Sequence, residues 1–138
     1  MREAHYEDKS INAILSVALD DCLVENGNYI PLDYKTRGFD LIEDPRKYYQ
    51  TQFDCYCLIL ESSGFKTKGL AYLLYYWPTD VFENGMVKFK VEPIKVETDI
   101  ESAKKIFKDD VVLLTHEIPK ANPTCEYCNL VAARKSEV

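Results

Sequence analysis

Between residues 46 and 64 the sequence "RKYYQTQFDCYCLILESSG" carries Tyr49, Phe53, Tyr56, Cys57 and Leu60 at i, i+4, i+7, i+8 and i+11. That period is helical and puts one apolar stripe along the segment. Pro45 stands where a proline opens a helix, and Gly64 stands where helices end. The pattern predicts a helix that packs on a sheet.

The flanking segments read as strands. "INAILSVALDDCLV" at 11–24 and "YIPLDYKT" within 29–36 lie on either side of Asn26-Gly27, a strong short-range hairpin signal, and predict two antiparallel strands. "GLAYLLYYW" at 69–77 and "MVKFKVEPIKV" at 86–96 predict two more, separated by the turn residues of "PTDVFENG". The first of these has no polar alternation, which predicts a central strand. A second helix is expected from about 99 to 115, opened by the capping box "TDIE" with Thr98 three residues ahead of Glu101. Residues 38–45 read as a loop, and the tail 119–138 as irregular at first. The order strand, strand, helix, strand, strand, helix predicts an α/β or α+β fold, a mixed sheet covered by helices, in a single domain over 1–138.

Composition changes this picture little. A chain of 138 residues, 46% of them hydrophobic, can bury a real core. No apolar run approaches the roughly 20 residues of a membrane span, and "MREAHYEDKS" has no apolar signal region, so the expectation is a cytoplasmic protein without a membrane partner. A net charge of -6 argues against a broad basic surface, so any nucleic-acid site must be local. The five cysteines are odd in number and scattered, which reads as reduced thiols rather than a disulfide framework.

Candidate chemistry enters at "LDYKT". Side chains alternate along a strand, so Asp33 and Lys35 share one face. With Asn26-Gly27 as a two-residue loop, Asn28 pairs with Glu25, and stepping back along both strands brings Asp20 opposite Asp33. Opposed like charges are destabilising, so something positive should sit between them. Lys35 can do this, as can a hard divalent cation such as Mg²⁺ or Mn²⁺. These residues also read as solvated charges on an open hairpin face, with Asp33 and Lys35 a weak surface pair. Pro31, which cannot donate to a ladder, predicts an edge at that point or a donor position turned away from the partner.

The stretch "ALDDCLVENGNYIPLDYKTRGF" resembles the RecB-like branch of the PD-(D/E)XK nuclease superfamily, with its GxxD strand, D-Y-K-T strand and Q-x-x-x-Y helix. Asp20 matches the aspartate of the first strand, Asp33 and Lys35 the acidic residue and lysine of the second, and "QFDCY" supplies Gln52 and Tyr56. Val17 stands where that family usually has glycine. The match covers residues 17 to 56, about a third of the chain. It implies a restriction-endonuclease-like core and a metal-dependent, exonuclease-like DNA nuclease acting in repair, recombination or defence, on single- or double-stranded DNA. It also allows a homo-oligomer or a larger repair complex.

In that reading Asp20, Asp33 and the backbone carbonyl of Tyr34 hold Mg²⁺ or Mn²⁺, and Lys35 orients the attacking water or neutralises the transition state. Gln52, Tyr56 and Arg37 meet the substrate, with Arg46 and Lys47 flanking. The family's upstream helix has little room here, which leaves either an N-terminally shortened core or a ligand supplied by His5, Glu3 or Glu7. "CEYC" at 125 to 128 is a pair that can supply half of a zinc or iron–sulfur site, but the other cysteines do not complete the family's iron–sulfur pattern, so neither a cluster nor zinc is expected at Cys125 and Cys128. The alternative function is a nuclease-fold module that binds nucleic acid or a protein partner without cutting.

Overall fold

The computed structural model describes residues 4–40 and 43–135 of the chain. Strands β1 (His5–Asp8) and β2 (Ala13–Ser16) form an antiparallel hairpin. They are followed by β3 (Asp21–Glu25), β4 (Asn28–Thr36), helix α1 (Arg46–Ser62), β5 (Leu70–Val81), β6 (Val87–Glu97), α2 (Ile100–Leu113) and α3 (Glu126–Lys135). The four later strands make one mixed sheet in the order β3-β4-β5-β6, parallel only between β4 and β5. A parallel neighbour needs a crossover, and α1 supplies it.

The β3–β4 hairpin has the register that its turn dictates. Asn26 and Gly27 both have positive φ, 51° and 77°, the signature of a type I′ turn, and Glu25 pairs with Asn28, Val24 with Tyr29, and so on to Asp21 with Leu32. The ladder to β5 begins only at Leu32, one residue beyond Pro31, so the parallel pairing loses nothing to the missing donor.

Helix α1 begins after Pro45 and closes with a Schellman motif. The Phe65 N–H donates to the Leu60 carbonyl and the Gly64 N–H to that of Glu61, each at 3.0 Å, with Gly64 at φ 86°. The expected stripe is the buried face: Phe53, Tyr56, Cys57 and Leu60 are all within a few per cent of zero exposure. Phe53 and Tyr56 join Ala71, Leu73, Tyr75, Trp77 and Val96 in the core, with Val17, Leu19, Tyr49 and Ile94 packed against them. α1 therefore covers one face of the sheet, α2 packs on α1, and β5 lies in the interior as its apolar sequence predicts. β5 alternates buried and half-buried residues, and on the other face Tyr34, Phe89 and Val91 are exposed.

Several boundaries differ from the sequence reading. The segment 11–24 is two strands in two sheets, because Asn12 takes positive φ in the β1–β2 turn and Val17 to Asp20 run without ladder pairing. The β5–β6 hairpin reaches to Val81 and Val87, because a bulge between Pro78 and Asp80 absorbs the proline that reads as a strand end. The cap of α2 is Asp99, whose carboxylate accepts the N–H groups of Glu101 at 2.9 Å and Ser102 at 3.2 Å. Thr98 instead donates its hydroxyl to Cys57 Sγ at 3.3 Å. The tail holds α3, and the loop over 38–45 lies partly outside the described residues. Among the described residues no helix is long and apolar enough to cross a membrane.

Phe53 has no exposed surface and sits at the centre of the α1–sheet contact. Phe53→Ala is expected to lower stability by about 3–5 kcal/mol, read as a lower urea midpoint with an unchanged slope.

Candidate active site

β4 carries Asp33 and Lys35 on the face that α1 covers, beside their parallel partners Leu73 and Tyr75. Asp33 is only 1% exposed, so its carboxylate needs partners from the protein. Gln52 Nε2 donates to Asp33 Oδ1 at 2.9 Å, and the Tyr56 hydroxyl reaches the same oxygen at 3.3 Å. Gln52 and Tyr56 are also hydrogen-bonded to each other, as residues four apart on one helical face can be. Asp33 Oδ2 is buried and is closed off by the Lys35 ammonium in an ion pair. The Lys35 ammonium lies 5.2 Å from the centre of the Tyr49 ring, and its side chain keeps 28% exposure. The ammonium thus faces both the buried carboxylate and an aromatic ring.

Asp20 stands one residue before β3, just beyond the last ladder pair, and is exposed. Its Oδ2 accepts the Tyr34 N–H at 3.4 Å, which ties it to β4 directly after Asp33. Burial pushes the Tyr56 hydroxyl up, and the charges of Asp33 and Asp20 push it the same way, so both carboxylates bear on one point. Asp33, Lys35, Gln52 and Tyr56 are therefore one cluster, with Asp20 linked to it through the Tyr34 N–H.

The remaining predicted residues are not all part of it. Arg37 follows β4, donates its backbone N–H to the Tyr76 carbonyl at 2.9 Å, and lays its guanidinium 4.7 Å from the centre of the Phe39 ring. It is exposed and near enough to the cluster to influence Tyr75. Arg46 is engaged by Asp44 through a fork of hydrogen bonds, and Lys47 by Glu43. Both are already paired within the chain. His5 lies on β1, where its carbonyl accepts the Ser62 hydroxyl at 3.1 Å. Ser62 is about 15 Å along α1 from Gln52, so His5 is not brought to the cluster. Glu7 is on the same hairpin, and Glu3 lies outside the described residues.

The donor set fits a hard divalent cation in chemical type: two carboxylates, one of them with an oxygen whose partner is the Lys35 ammonium. Among the described residues no group of three or more His, Cys, Asp or Glu side chains comes together, so further ligands would have to be backbone, water or substrate oxygens.

Sequence reasoning missed a second buried carboxylate, Asp54, although an aspartate inside the apolar stripe was its visible signal. Asp54 accepts the Asp99 N–H and the Gln50 amide, each at 2.8 Å, while Gln50 also donates to the Glu97 carbonyl at 2.7 Å. Burial raises the Asp54 pKa in spite of these donors. The carboxylate pins α1 to the start of α2 and so holds the helix that positions Gln52. Tyr75 was likewise read only as strand core, yet its hydroxyl meets that of Tyr49 at 3.5 Å, beside Lys35. Comparison of the chain with protein-family models, curated proteins and solved structures finds no match.

Burial, and next to it the Tyr49 hydroxyl, pushes Tyr75 up to about 12. An unfolded tyrosine ionises near 10, so the fold favours the neutral form, and this contribution is complete below pH ~10 and lost as pH rises toward about 12. Urea titrations across that window should show Tyr75→Phe losing less stability than the wild type, by about 1–3 kcal/mol.

Proposed function

We propose that this chain is a metal-dependent nuclease domain with a restriction-endonuclease-like core, hydrolysing phosphodiester bonds of DNA. The observation that carries this reading is the Asp33 carboxylate, almost wholly buried, with Gln52 and Tyr56 on one oxygen, the Lys35 ammonium on the other, and Asp20 tied to the next residue of β4. A buried charge is costly, and a role that stops at stability is served as well by an apolar side chain.

Asp20 and Asp33 would hold Mg²⁺ or Mn²⁺, with the Tyr34 backbone carbonyl as a further oxygen. A bound cation of this kind supplies Lewis acidity, lowering the pKa of a water and offsetting charge on phosphate oxygens. Gln52 and Tyr56 fix the orientation of Asp33 through its Oδ1, which leaves Oδ2 facing Lys35. Lys35, held against the Tyr49 ring, orients the attacking water or stabilises negative charge developing on the phosphate. Arg37, exposed beside the cluster, provides a phosphate contact.

A second reading is favoured by the same ion pair. Lys35 already balances the Asp33 charge without a metal, as suits a nuclease-fold module that binds nucleic acid or a protein partner without cutting. The two separate on metal dependence. The nuclease reading expects Mn²⁺ binding by calorimetry that Asp33→Ala abolishes, and cleavage of labelled single- or double-stranded DNA that falls about 10²–10³-fold in Lys35→Ala with the circular dichroism spectrum retained. Equal cutting by wild type and both variants would sink it. DNA binding that is indifferent to divalent ions, with no cleavage, would establish the second reading.

A further inference from the structure

Away from the site, the fold sets two of the five cysteines together at the start of α3. Cys125 is the N-cap of that helix: its carbonyl accepts the Asn129 N–H at 3.0 Å, the first hydrogen bond of the helix. Its side chain serves as a cap too, because Sγ accepts the Cys128 N–H at 3.4 Å. Serine, threonine, aspartate or asparagine usually fills this position. A sulfur there lies against the positive end of the helix, which favours a thiolate.

The approach to α3 is tied down as well. The Cys125 N–H donates to the Asn122 carbonyl at 2.9 Å, and Asn122 Oδ1 accepts the Thr124 N–H and hydroxyl at 2.9 and 2.8 Å. The Asn129 amide reaches back to the Pro123 carbonyl at 3.1 Å. Cys125 is half-buried and Cys128 exposed, so a small molecule can reach both.

We propose that Cys125 and Cys128 are a redox-active dithiol, in which Cys125 attacks low-molecular-weight disulfides of the glutathione type and Cys128 resolves the mixed disulfide. In the first step the Cys125 thiolate bonds to one sulfur of the disulfide. The S–S bond breaks, and the other half leaves as a thiolate that takes a proton from water. In the second step Cys128 loses its proton and bonds to Cys125 Sγ, expelling the second thiol. Two electrons pass from the protein to the small disulfide, leaving a Cys125–Cys128 bond and two reduced thiols. Residues three apart on one helical turn can be joined with little backbone movement.

The rest of the chain fits this division of labour. Donation from the Cys128 N–H holds the Cys125 thiol below its ordinary range, while the Cys125 sulfur pushes Cys128 up. Burial pushes Cys22, Cys55 and Cys57 up, so Cys125 is the one cysteine poised to attack. The inference is independent of the nuclease reading, since none of its residues touches the Asp33 cluster.

The test is to equilibrate the full chain with mixtures of oxidised and reduced glutathione, quench in acid, alkylate, and map the cysteines by mass spectrometry. The expected result is a Cys125–Cys128 disulfide in wild type, a glutathione adduct on Cys125 in Cys128→Ser, and neither in Cys125→Ser. Cys125 should also alkylate at neutral pH roughly tenfold faster than Cys128 in the Cys125→Ser background. Adducts spread evenly over the five cysteines, or no disulfide at any ratio, would overturn the proposal. Protection of both thiols in the reduced protein, relieved by a chelator, would overturn it in favour of a bound metal.

Discussion

The arrangement of this protein depends on the docking of α1 against β4 and β5. One face of that helix does two jobs at successive positions. Phe53 and Cys57 are shut away from water and tie the helix to its neighbours by close packing. Gln52 and Tyr56, a fraction of a turn away, use the closeness so gained to reach Asp33. A carboxylate almost without solvent is tolerable only when its partners are held in place, and here the apolar contact holds them. Core and candidate site are therefore one construction.

The same logic explains the second buried carboxylate. A helix lying on a sheet can slide or roll at modest cost where only apolar surface is in contact, because burial is not directional. Asp54 removes that freedom by receiving the first N–H of the α2 cap, and Gln50 anchors to the end of β6. At the other end of α1, Ser62 bonds to the β1–β2 hairpin, and the Asp8 carboxylate of that hairpin pairs with Lys108 of α2 at 3.3 Å. Directional bonds thus fix a helix that apolar packing alone would leave less well defined.

What could be read from the sequence was what short-range chemistry decides. Asn26-Gly27 sets a two-residue turn, the turn sets the register, and the register carries Asp20 toward Asp33. The period of α1 named its buried face and Gly64 its end. What escaped was decided by tertiary context. Thr98 and Asp99 are both good caps, and the choice between them follows from Thr98 being engaged by Cys57. Pro78 ends a strand in most settings but survives here inside a bulge. Asp54 sits in an apolar stripe, and no pattern of neighbours announces that the partner is the Asp99 amide, 45 residues further along the chain. Placing His5 requires knowing where the β1–β2 hairpin packs, which its four-residue strands do not reveal.

The sheet's last strand leaves a further consequence. β6 is eleven residues long and, among the described residues, has a strand neighbour on one side only, so its other side offers a row of backbone groups without a ladder partner. An edge of that length is a template on which another chain could extend the sheet. β6 carries Lys88, Lys90 and Lys95 along its course and Pro93 within it. Lys90 and Lys95 pair with Glu92 and Glu97 of the same strand and Lys88 with Asp80, which keeps the strand charged and hydrated, and the proline breaks the run of donors. The edge farthest from the candidate site is thus the one guarded against edge-to-edge aggregation.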